Sequence, residues 1–144
     1  MLALPSTEYL SLVYRPDVRV LVGRWLRDTL PQEMYSGYGL MLNGAAEQQC
    51  RFWLVDARRR DNGTNGQNVS WMMDTFFPQM VARLGQPVFI AYLFAPSHLH
   101  DIIADPAIPS LSYFDNRPYR VERFIEERTA LEWLASCQTV VAAR

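Results

Sequence analysis

The chain is poor in the features that mark several protein classes. Two cysteines, Cys50 and Cys137, in 144 residues are too few for a disulfide scaffold or a cysteine-rich metal site. They read as reduced thiols of a cytoplasmic protein. No apolar run approaches the roughly 18 residues of a membrane span, so stable membrane insertion is not expected. The start, MLALPSTEYL, lacks a basic region followed by an apolar run, which argues against a signal peptide. An excess of one charge is missing too: fourteen basic residues stand against fifteen acidic ones, for a formal charge of −1. No overall field therefore draws the protein to nucleic acid or an anionic membrane. The GxSxG elbow of a serine hydrolase and the HExxH pair of a zinc protease are absent, as are repeats. What is present is a 49% hydrophobic composition, at a length that supports one domain with a real core. Residues 1–144 read as that single domain.

The order of elements follows from hydrophobic period and turn chemistry. Tyr9–Tyr14 and Val18–Trp25 are β-branched or aromatic-rich runs joined by Arg15–Pro16–Asp17, an antiparallel hairpin. Thr29 and Gln32 have the spacing of a capping box ahead of a helix running to about Ala46. Met34, Tyr38, Met41, Leu42 and Ala45 form its apolar stripe. Gly37 and Gly39 read as close-packing positions in it, and Gly44 as end fraying. Phe52–Ala57 suits a central strand covered on both faces. A helix from about Val69 carries Met72, Phe76, Met80 and Leu84 at four-residue spacing, with Pro78 expected to bend it or open one hydrogen bond. Pro87–Phe94 is a further strand and His98–Ala104 at most a short helix. Ala107–Asn116 has no clean period. Tyr119–Phe124 is the last strand, and Thr129–Ser136 is the core of a terminal helix. The result is β-β-α-β-α-β-α-β-α. This is an α/β fold, with one mixed sheet of four to five strands packed with helices.

These pieces resemble the SpoIIAA-like (STAS/SEC14-like) family, small domains akin to the anti-sigma-factor antagonists. The resemblance runs through VLVGRW at 20–25, EMYSGYGLML at 33–42, FWLVDAR at 52–58, NVSWMMDTFFPQMVARLG at 68–85 and RVERFIEERTALEWL at 120–134. It covers about residues 9–136. It implies a sheet beside several helices, no metal or dinucleotide cofactor, and regulation through protein partners. In the antagonists a serine at the loop–helix junction after the third strand is phosphorylated by a partner kinase. The corresponding stretch here is about Gly63–Ser70. It lacks an Asp-Ser-Ser/Thr-Gly sequence and holds Thr64 and Ser70 as its only hydroxyls.

The loop 58–70 is the place to look for a site. Asp56 ends a central strand, where open α/β sheets place ligands. Arg58, Arg59 and Arg60 follow, with a helix start close behind, a set suited to an anion or a phosphorylated hydroxyl. The plain alternative is a solvated loop whose arginines balance nearby aspartates. Trp71, beside the loop, could line a pocket for a small apolar molecule or a lipid, or simply pack in the core. His98 and His100 are two apart and point in different directions on a helix, a poor metal set. The readings that follow are, in order, a regulatory or protein-binding module, self-associating as a homodimer or binding another protein, and a small-ligand domain with a pocket near Trp71. An enzyme of unrecognised type comes last.

Overall fold

The computed structural model describes residues 1–60 and 66–142. Its strands form one mixed sheet whose spatial order is the chain order. β1 (Leu2–Ala3), β2 (Leu10–Arg15) and β3 (Val20–Trp25) pair antiparallel. β4 (Phe52–Asp56), β5 (Val88–Leu93) and β6 (Tyr119–Phe124) continue from β3 in parallel. The alternation expected from the sequence is the one observed. The addition is β1, two exposed residues too short to show a period, which add a sixth strand to the four or five expected.

Each parallel connection advances by one strand in the same direction, so crossovers of one hand place their helices on one face. That face carries α1 (Pro31–Gln48), then α2 (Gly66–Trp71), a π turn at Met72–Phe76, α3 (Phe77–Leu84) and α4 (Pro96–Ala104). They cover Leu21, Trp25, Trp53, Val55, Ile90 and Val121. The other face shows Val20, Val22, Leu54, Ala91 and Leu93, and α5 (Glu127–Ala142) lies on it through Ala130 and Leu134. Burying a leucine such as Leu134 contributes about 1.5–3 kcal/mol.

Several local expectations changed with context. The cap of α1 is Leu30, whose N–H donates to the Glu33 carboxylate at 2.9 Å. Thr29 is buried instead, and its hydroxyl accepts a 3.0 Å bond from Arg60 Nε. Gly37 is a close-packing position: a Cβ there would lie 2.4 Å from the Trp25 ring. Gly44 does not mark fraying: a Cβ there would lie 3.0 Å from Leu4 and 3.3 Å from Leu12, and the helix continues to Gln48. A Cβ on Gly39 would meet nothing. Pro78 acts as anticipated. The Phe77 N–H reaches back five residues to the Met72 carbonyl, so the ladder widens just before the residue that has no donor. The aperiodic stretch after α4 is held by single anchors, Ile108 and Phe114, sunk in the same core as Ile102.

Candidate functional site

Side chains alternate along a strand, and this decides what each residue at the end of β4 can do. Asp56 follows Leu54 onto the α5 face and is 6% exposed. Arg58 grips it with Nε to Oδ1 at 3.0 Å and Nη2 to Oδ2 at 2.9 Å, and donates its backbone N–H to Oδ1 at 3.0 Å. Arg24 on β3 adds Nη1 to Oδ2 at 2.9 Å and also reaches Glu127 Oε1, at the start of α5, at 2.6 Å. Burial alone would raise the Asp56 pKa, but the bonds from Arg58 and Arg24 outweigh it and hold the carboxyl below its ordinary value. Two arginines and two carboxylates thus satisfy one another. This cluster fastens α5 to the sheet.

The arginine triplet does not converge. Arg58 serves Asp56 on the α5 face, and Arg59 is exposed. Arg60 turns to the opposite face, where it is 4% exposed, donates to Thr29 and lies with its guanidinium carbon 4.5 Å from the Trp25 ring centre. It is one wall of a pocket of ≈ 80 Å³ between the carboxyl ends of the strands and the helices above them.

That pocket has a mainly apolar wall, unlike the larger and more polar hollow of ≈ 520 Å³ beside Arg24, Asp56, Arg58 and Glu127. Met34 and Tyr38 reach it from α1, and Val69, Met72, Met73 and Phe77 from α2, the π turn and α3. Tyr92 and Phe94 come from the end of β5, Val121 and Arg123 from β6, and Ile102, Ile108 and Phe114 close the far side. The π turn has a local role, since it carries Met72 and Met73 into the wall. The polar groups are few, Asn68 of α2 among them. The Tyr38 and Tyr92 hydroxyls lie 3.1 Å apart, and burial raises the pKa of both phenols. Arg123 donates to the Pro109 carbonyl at 2.9 Å. Burial pushes both Arg60 and Arg123 down in pKa, although a guanidinium keeps its proton in proteins.

The remaining sequence candidates sit elsewhere. Trp71 turns away from the pocket and packs on Tyr35, with ring centres 4.5 Å apart, and on Phe76. Ser70 is exposed on α2 and does not cap it, since the helix starts at Gly66. Thr64 lies outside the described residues. His98 is buried edge-on against Phe94, while His100 is exposed. Among the described residues no three of His, Cys, Asp and Glu come together as a metal site. No described helix is long and apolar enough to cross a membrane. Sequence reasoning missed Arg24, Glu127, Tyr92 and Arg123. A partial signal existed for Arg123, a charge at an inward position of an otherwise apolar-alternating strand. No family model, curated protein or solved structure matches this chain.

Proposed function

We propose that the chain is a binding module for a small, mostly apolar molecule held in the pocket beneath α1, α3 and α4. The observation that carries the reading is the wall itself, with three methionines and several aromatic rings at the carboxyl ends of parallel strands. At ≈ 80 Å³ it lies below the roughly 300–1,000 Å³ of a drug-sized site. It suits a body of a few heavy atoms, with flexible methionine side chains giving way around a larger one. The arginine loop supports binding less well, because Arg58 is engaged within the protein.

The chain's methionines allow a direct test. With methyl-labelled methionine, benzyl alcohol or benzoate at millimolar concentration moves the Met34, Met72 and Met73 resonances. The Met41 signal, buried away from the pocket, stays still. If neither fragment moves those three, the binding reading fails.

The SpoIIAA-like kinship belongs to the same proposal, supported by the order of elements and by a sheet flanked with helices. A second reading, a protein-binding module that pairs with its own copy, is favoured by the outer edge of β6, which pairs with no strand among the described residues. A dimer mass in native mass spectrometry at micromolar concentration supports it, and a monomer counts against it.

A further inference from the structure

The charge balance of the pocket goes one step further than its shape. Two ionisable side chains of opposite sign are buried at the carboxyl ends of β3 and β4, and the protein treats them differently. Asp56 meets two guanidinium groups within 3.0 Å. Arg60, still more deeply buried, forms no ion pair with any described carboxylate. Its compensation comes from neutral groups, the Thr29 hydroxyl and the Trp25 face, with the Tyr38 and Tyr92 phenols close by. Asp28 adds a weaker electrostatic attraction. A second guanidinium, Arg123, lines the same pocket, and it too lacks an ion pair among the described residues. Glu122, its neighbour on β6, attracts the guanidinium electrostatically but spends a carboxylate oxygen on the Arg123 backbone N–H at 3.1 Å, and successive residues of a strand face opposite ways.

Buried charge is retained at a high desolvation cost unless something of opposite sign completes it. An arginine cannot escape that cost by losing its proton. Among the described residues the pocket lining therefore carries positive charge inside a mostly apolar wall.

We infer that the ligand is a small carboxylic acid, its apolar body among Met34, Met72 and Met73 and its carboxylate received by Arg60 and Arg123. The inference rests on the binding reading above and adds its chemical class. A carboxylate matches the fork of a guanidinium, which offers two parallel donors. The apolar character of the rest of the wall favours a single anionic group over a multiply charged one. The paired hydroxyls of Tyr38 and Tyr92 supply further donors in the same space.

The experiment compares acids with their neutral, near-isosteric amides on the intact protein: benzoate against benzamide, and butyrate against butyramide, followed on the methionine methyls and by calorimetry. Each acid is expected to bind at least about ten-fold more tightly than its amide, the scale of a charge-assisted pair. Arg60→Gln and Arg123→Gln each remove most of that preference. Equal affinity of acid and amide overturns the carboxylate assignment and leaves the binding reading standing. An absence of shifts from all four compounds removes both. Inorganic phosphate displacing benzoate at similar concentration also overturns it, in favour of a more highly charged anion. If Arg60→Gln does not fold, Arg123→Gln and the wild-type acid–amide ratio still decide the matter.

Discussion

Replacing Asp56 by asparagine tests the reading of the charge cluster at the end of β4. The carboxylate accepts bonds at 2.9 Å from Arg24 Nη1, at 3.0 and 2.9 Å from the Arg58 fork, and at 3.0 Å from the Arg58 N–H. A hydrogen bond to a charged group contributes about 1.5–3 kcal/mol, and breaking a fully buried ion pair costs about 3–5 kcal/mol. The full figure does not apply here. The Arg24 and Arg58 side chains keep 34% and 44% of their exposure, and Glu127 still holds Arg24 at 2.6 Å. The amide also retains one acceptor oxygen. The expected loss is about 2 kcal/mol at pH 7, or roughly 4–8 °C in Tm for a domain of this size. Urea unfolding followed by tryptophan fluorescence measures it. The pH dependence supplies the sign. The folded pKa of Asp56 is depressed, so its contribution is fully present above the unfolded value of about 3.9 and is lost as pH falls through the lower folded value. The gap between wild type and Asp56→Asn should stay level from neutral pH to about 4 and close below that. A gap under about 0.5 kcal/mol at pH 7, or one that persists unchanged through the acid range, would refute the assignment of Asp56 as a paired, load-sharing anion.

Two glycines of one helix should respond with opposite signs to the same substitution. Gly37→Ala gains about 1 kcal/mol of helix propensity but drives a methyl into the Trp25 ring, an overpacking cost of up to about 3 kcal/mol, so the variant should be less stable by about 1–2 kcal/mol. Gly39→Ala faces open space and should stabilise by about 0.5–1 kcal/mol. Thermal unfolding by circular dichroism reads both, and a shared sign would mean that α1 does not sit on Trp25 as described.

Much of the fold could be read from sequence because its signals are local. Phe52–Asp56 is an apolar run bounded by polar residues, and Met72, Phe76 and Met80 keep helical period through the π turn. Pro78 announced a gap in the ladder, and the wide turn is that gap. The cap of α1 was misread for a physical reason. Thr29 has cap chemistry, but Arg60, brought back by the next strand, takes its hydroxyl. The site was harder still. Arg58, Arg59 and Arg60 look like one cluster in sequence, yet strand alternation and the turn after β4 send two of them to opposite faces. The pocket gathers Met34, Arg60, Tyr92 and Arg123 from four separate elements. No spacing rule connects residues whose meeting depends on the register of parallel strands.

The face under α5 has a consequence for how the protein is made. Every described strand pairs with its neighbour in the chain, so no pairing before β6 has to wait for a later segment. Val20, Val22, Leu54 and Leu93 then remain bare on the ribosome until residues 127–142 emerge. During that interval a nascent chain is a sticky half-sandwich, and any early stop after β6 would release it to chaperones or aggregates. One contact that waits for α5 is Gln138 Nε2 on the Val18 carbonyl at 2.9 Å, which ties that helix to the turn between β2 and β3.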